Sequence, residues 1–166
     1  MHLLGDAEGK YNYVEGYLTM MHESDAALQY LIEELEKRDE KWVVMMFGDH
    51  QVDFGHGNEY LETISGKSMD GRTEAEREDL YTIPYLIWAN YDIAEEQDVE
   101  ISANYLSGKV MQTAGLPLSP YQQYLEEFRQ EIPVISAEET RYTDESVSGE
   151  DTLLSYQKLQ YYMLFQ

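Results

Sequence analysis

A chain of 166 residues with no cysteine is long enough to bury one hydrophobic core, and it can hold neither a disulfide nor a thiolate metal site. Its 33 acidic residues against 11 basic ones give a formal charge of −22, which excludes nucleic acid as a partner, because phosphate neutralisation needs clustered Lys and Arg. Anionic lipid surfaces are disfavoured for the same reason.

Residues 1–12, with Gly5 and Gly9, read as an irregular lead-in. From 13 to about 37, Val14, Leu18, Met21, Leu28, Ile32 and Leu35 recur at helical spacing. They predict an amphipathic helix roughly 35 Å long that packs on the sheet. Asp25 falls on the same stripe, so it is expected to need hydrogen-bond partners within the core. Met20, Met21, Met45 and Met46 are expected to fill core gaps.

The run Trp42-Val43-Val44-Met45-Met46-Phe47 predicts a strand buried on both faces, and it stops at Gly48-Asp49-His50. In an open α/β sheet, ligands gather beyond the carboxyl ends of strands, which makes Asp49 and His50 the leading metal-ligand candidates. The same three residues could also form an ordinary turn, with Asp49 bonded to backbone and His50 solvated.

Residues 51–57 read as loop and 58–64 as a short helix ending near Gly66, with His56 an exposed imidazole between two glycines. Thr73-Glu74-Ala75-Glu76 has the form of a capping box opening a polar helix to about Leu80. A second strand is predicted over 83–90, with Pro84 near its start, and 92–100 is an acidic loop. Ser102 is expected to cap a helix running to Ala114 and closed by Gly115 and Pro117.

Ser119-Pro120 opens another helix, whose buried stripe is Tyr121, Tyr124, Leu125 and Phe128. Val134-Ile135 forms a brief strand, 138–150 is an exposed loop, and a terminal helix starts at Asp151 or Thr152. Two convincing strands among about five helices make a poor sheet, which predicts that this chain is part of something larger.

Other chemistry is sparse. There is no GxxxxGK[ST] or GxGxxG loop, no HExxH and no Gly-x-Ser-x-Gly elbow. His2 and His22 have no evident catalytic company, and Glu33-Glu34 and Glu95-Glu96 read as solvated charge. The longest apolar run falls far short of the roughly 20 residues of a membrane span, so the chain itself is expected to be soluble.

The ordered series NYVEGYLTMMHESDAALQYLIEEL, VVMMFGDHQ, YTIPYLIWANYDI, ISANYLSGKVMQTAGLPLSPYQQYLEEF and YQKLQYYMLF resembles the C-terminal part of the lipoteichoic acid synthase family. These are phosphoglycerol transferases of the sulfatase and alkaline phosphatase superfamily. The resemblance implies an α/β fold, the C-terminal portion of an alkaline phosphatase- or sulfatase-like sandwich, with residues 1–166 forming a single fragment of the catalytic domain. It implies a parent enzyme on the extracellular face of a bacterial cell membrane, acting on phosphatidylglycerol with manganese or magnesium. Asp49 and His50 match the family's late metal-ligating pair.

The resemblance leaves the early acidic ligand, the nucleophilic threonine and the substrate-binding histidine upstream of the matched segments. Gln51-Val52 also departs from the Gln-Pro common in the family. The fragment is therefore expected to be inactive alone, to require the N-terminal half of the domain as its partner, and to self-associate if a sheet edge is left open. A fragment of a sulfatase-superfamily ester hydrolase and a non-enzymatic scaffold are the alternatives.

Overall fold

The structure, a computed structural model, describes residues 2–3, 9–52, 61–62, 65–136, 139–144 and 150–165. Its chain is α/β, with five helices and two small sheets among the described residues. Packing divides it into two compact units, Met1–Asp92 and Ile93–Gln166.

The first unit contains α1 (Asn12–Leu35), β1 (Val43–Phe47), α2 (Glu74–Glu78) and β2 (Tyr85–Ala89). The helix at 13–37 therefore forms where its spacing predicts, and β2 lies within the expected 83–90. The two strands pair antiparallel, Val43 opposite Ala89 and Phe47 opposite Tyr85. The expectation that β1 is buried on both faces is corrected, because no layer among the described residues covers it fully: Met46 and Phe47 are exposed, as is Trp42 just before it.

Two related expectations are corrected for the same physical reason, a lack of covering layers. In α1 only Val14 is fully buried, so Asp25 is exposed and does not face a core. Met20 and Met21 are exposed too, and with Met46 they fill no core gap, whereas Met45 is half-buried.

Asn90 ties the end of α1 to the strand pair. Its side-chain oxygen accepts from the Trp42 amide at 2.8 Å. Its amide nitrogen reaches the carbonyls of Glu40 at 2.9 Å and Leu35 at 3.3 Å. The last carbonyls of a helix lack intrahelical donors, and the final turn of α1 carries no basic residue to serve them. Asn90→Ala removes these bonds together, and an expected loss of about 1–3 kcal/mol should appear as a lowered urea midpoint.

The capping box at α2 is present as predicted. Thr73 accepts from the Glu76 amide at 3.3 Å, and the Glu76 carboxylate accepts from the Thr73 amide at 2.9 Å. The Lys67 ammonium, then the Thr73 amide, hold the Glu76 carboxyl well down, to about 2. Of the helix expected over 58–64, residues 61–62 and 65 are helical, and the remainder lies outside the described residues, as does His56.

The second unit holds α3 (Leu106–Thr113), α4 (Pro120–Glu131), β3 (Val134–Ile135), β4 (Thr140–Arg141) and α5 (Glu150–Phe165). Its core is Tyr105, Leu125, Phe128, Ile132 and Tyr156, flanked by Ile101, Tyr121, Tyr124, Ile135, Tyr142 and Leu153. At α4, Ser119 and Gln122 make the capping box and Pro120 takes the first helical position, which places Leu125 and Phe128 in the core. At the end of α3, Gly115 adopts φ +68° and its amide donates to Gln112 at 2.9 Å, a backbone turn that glycine takes without steric cost.

Ser102 behaves differently from expectation. It precedes a short 3-10 turn, Ala103–Tyr105, without capping it through its side chain. Its hydroxyl instead donates to the Ile135 carbonyl at 2.9 Å and accepts from the Ile135 amide at 2.6 Å. The expected loop over 138–150 is also corrected, because Thr140–Arg141 pairs antiparallel with β3. Residues 145–149 lie outside the described residues.

Burial raises the ionisation of the Tyr105, Tyr124 and Tyr156 phenols above their ordinary range. Tyr105 also donates its hydroxyl to the Ile132 carbonyl at 2.6 Å, a bond that deprotonation destroys. A phenol whose folded value exceeds the unfolded value of about 10 contributes its full stability below that pH and loses it above. Thermal melts should therefore fall between pH 9 and 11, and Tyr105→Phe should flatten that fall.

Candidate metal centre

The β1–β2 ladder continues one step past Phe47, where the Gly48 amide donates to the Pro84 carbonyl at 3.1 Å. A β-carbon on Gly48 would lie 3.3 Å from the Ile83 β-carbon and 3.4 Å from its γ2-carbon. Glycine therefore lets the exit of β1 lie close against the approach to β2, and the chain turns there into Asp49 and His50. Antiparallel pairing puts this corner between the carboxyl end of β1 and the amino end of β2.

The two predicted ligands are brought together and presented outward. His50 Nε2 stands 3.7 Å from Asp49 Oδ2, with side-chain exposures of 73% and 86%. His50 Nδ1 lies 2.6 Å from the Gln51 carbonyl oxygen. A carbonyl oxygen only accepts, so Nδ1 carries a proton in this arrangement, and Nε2 faces the Asp49 carboxylate. The Gln51 side-chain amide in turn donates to the Thr82 carbonyl, tying the residue after His50 to the approach to β2.

This donor set fits a divalent cation. A carboxylate suits hard ions and a neutral imidazole suits borderline ones. Two donors each about 2.1 Å from one ion stand roughly 3.0–3.5 Å apart at octahedral to tetrahedral angles, which a small side-chain rotation from 3.7 Å would reach. Among the described residues no group of three or more metal-capable side chains converges, so any further ligands would come from elsewhere.

The other candidates are paired elsewhere or exposed. His2 Nδ1 lies 3.3 Å from the Glu15 carboxylate, which also accepts from the Leu3 amide at 2.8 Å. The Leu3 amide first, then His2, lowers the ionisation of Glu15. His22 is exposed on α1. Glu34 pairs with Lys37 and Glu96 with Lys109, each at 2.6 Å, as solvated charges do. Gln51, through its contacts with His50 and Thr82, is the residue of this corner that sequence patterning missed, because the Thr82 contact spans 31 residues and depends on tertiary placement.

No helix among the described residues is long and apolar enough to cross a membrane. No curated protein and no solved structure matches the chain. The sulfatase family profile matches residues 4–116, which cover α1, both strands of the first sheet and the Asp49-His50 corner. That span is more than half of the 166 residues, and the chain belongs to the sulfatase family.

Proposed function

We propose that the chain is the C-terminal part of a metal-dependent phosphoglycerol transferase of lipoteichoic acid synthase type, with Asp49 and His50 supplying two ligands to a manganese or magnesium ion. The observation that carries this reading is the outward-facing Asp49-His50 pair at the end of β1, within the span matched to the sulfatase family. Asp49 offers carboxylate oxygens and His50 offers Nε2, while Gly48 keeps their backbone close to the approach to β2. When bound, a divalent cation neutralises phosphoryl oxygens and lowers the pKa of an attacking group.

The nucleophile, the remaining ligands and the substrate-binding side chains belong to an upstream half of the same domain. The exposed Trp42, Met46 and Phe47 support this reading, since apolar strands of this kind are normally covered on both faces. On this reading residues 1–166 alone are inactive, because the nucleophile lies in that upstream half. The parent acts on phosphatidylglycerol at the extracellular face of a bacterial cell membrane.

A second reading, a sulfuric ester hydrolase, is favoured by the family description itself. Assay of the enzyme containing both halves separates the two. Cation-dependent release of diacylglycerol from phosphatidylglycerol is the expected result. Cleavage of an aryl sulfate without that release would replace the first reading with the second, and the absence of both activities would favour a scaffold. Robust ester cleavage by the 166-residue chain alone would overturn the claim that it is inactive.

A further inference from the structure

Gln51 holds two positions at once. Its main-chain carbonyl accepts the proton of His50 Nδ1 at 2.6 Å, and its side-chain amide donates to the Thr82 carbonyl, 31 residues along the chain. The Thr82 contact crosses from the exit of β1 to the approach to β2, where the Gly48 amide and Pro84 carbonyl already join the strands at 3.1 Å. The carbonyl that accepts from His50 therefore belongs to a residue whose side chain is anchored on the segment leading into β2. Without that anchor, an exposed residue three positions beyond a glycine has rotational freedom about its own peptide.

We propose that Gln51 is a positioning residue for His50, fixing the imidazole in the form that carries its proton on Nδ1 and presents Nε2 beside the Asp49 carboxylate. The metal-binding consequence rests on the proposed function, whereas the tautomer does not. A ligating histidine whose other ring nitrogen donates to a carbonyl has its tautomer and orientation fixed, and losing such outer partners typically weakens metal affinity about 10–100-fold. Gln51 reaches that outcome indirectly, by holding the carbonyl in place.

The test uses the full 166-residue chain and two variants. Gln51→Ala removes the amide, and Gln51→Glu keeps the length but replaces the donor by an acceptor. Nitrogen-15 shifts of the neutral His50 ring report the tautomer without any metal, and the free Mn2+ signal in electron paramagnetic resonance reports affinity. Asp49→Ala supplies the background that a −22 chain binds through general charge. Unchanged far-ultraviolet dichroism confirms that each variant is folded.

The expected result is a predominantly Nδ1-protonated His50 in the parent sequence, a mixture of tautomers in both variants, and Mn2+ binding weakened about 10-fold. An unchanged tautomer in both variants overturns the positioning role, whatever happens to Mn2+. A changed tautomer, with parent binding no tighter than that of Asp49→Ala, supports the positioning role and overturns the metal reading.

Discussion

Phe128→Ala is expected to destabilise the second unit by about 3–5 kcal/mol, the largest stability effect of a single substitution in this chain. Phe128 is 3% exposed and sits where α3's lead-in, α4 and α5 supply one aromatic each. Its ring centroid lies 4.6 Å from Tyr156, 6.0 Å from Tyr124 and 6.3 Å from Tyr105, tilted on the first and last and stacked on the second. Truncation deletes three aromatic contacts and leaves a cavity whose walls are tied by other bonds. Tyr156 accepts from Asn104 at 2.9 Å and from Gln160 at 2.7 Å, and Tyr105 is bonded to the Ile132 carbonyl, so the rings cannot readily collapse inward.

A loss of this size is a large fraction of the 5–15 kcal/mol typical of a domain. A urea titration followed by tyrosine fluorescence should show the midpoint of the second unit falling by about 2 M. Tyr162→Ala, at an exposed position on α5, is the control and should change stability by less than about 0.5 kcal/mol. Equal effects at the two positions would contradict the packing described for Phe128.

Asp49→Ala carries the largest expected effect on chemistry. In an enzyme that contains both halves of the domain, loss of one of the two ligands proposed at this corner should lower turnover at least 1,000-fold, about 4 kcal/mol in the barrier. Asp49 is exposed and outside the hydrophobic core, so the folded state should be nearly unaffected. A fall in kcat/KM with an unchanged melting temperature is the predicted pattern. Turnover within 10-fold of the parent would mean that Asp49 forms only a turn.

The elements with local chemistry were readable from sequence. The capping boxes at Thr73 and Ser119 satisfy backbone groups within one turn, and the stripe Tyr121, Tyr124, Leu125, Phe128 follows the helical period, so α2 and α4 form where their residues predict. The abrupt end of β1 at Gly48 was equally legible, and with it the position of Asp49 and His50.

Features set by distant partners were not legible. Ser102 has the chemistry of a cap, but a strand 33 residues away takes its hydroxyl. Thr140–Arg141 is too short for any periodicity to show, and its pairing comes from the facing Val134–Ile135. The stripe on α1 and the apolar strand β1 specify burial that the described residues do not provide, and Met20, Met21, Met46 and Phe47 are exposed. At the corner, residue type pointed to Asp49 and His50 as candidates, whereas the contact between Gln51 and Thr82, 31 residues apart, becomes visible only in the fold.

The most direct test of the Asp49-His50 assignment is a Mn2+ titration of the isotope-labelled chain followed by nuclear magnetic resonance. Paramagnetic broadening is site-specific even when binding is weak, which matters for a surface carrying a charge of −22. The prediction is that the His50 ring and the Gly48 amide broaden at the lowest Mn2+ concentrations, ahead of the acidic stretch around Glu95 and Glu96, and that Asp49→Ala abolishes this early broadening. Broadening spread evenly over the acidic surface, or early broadening at His50 that survives Asp49→Ala, would contradict the assignment.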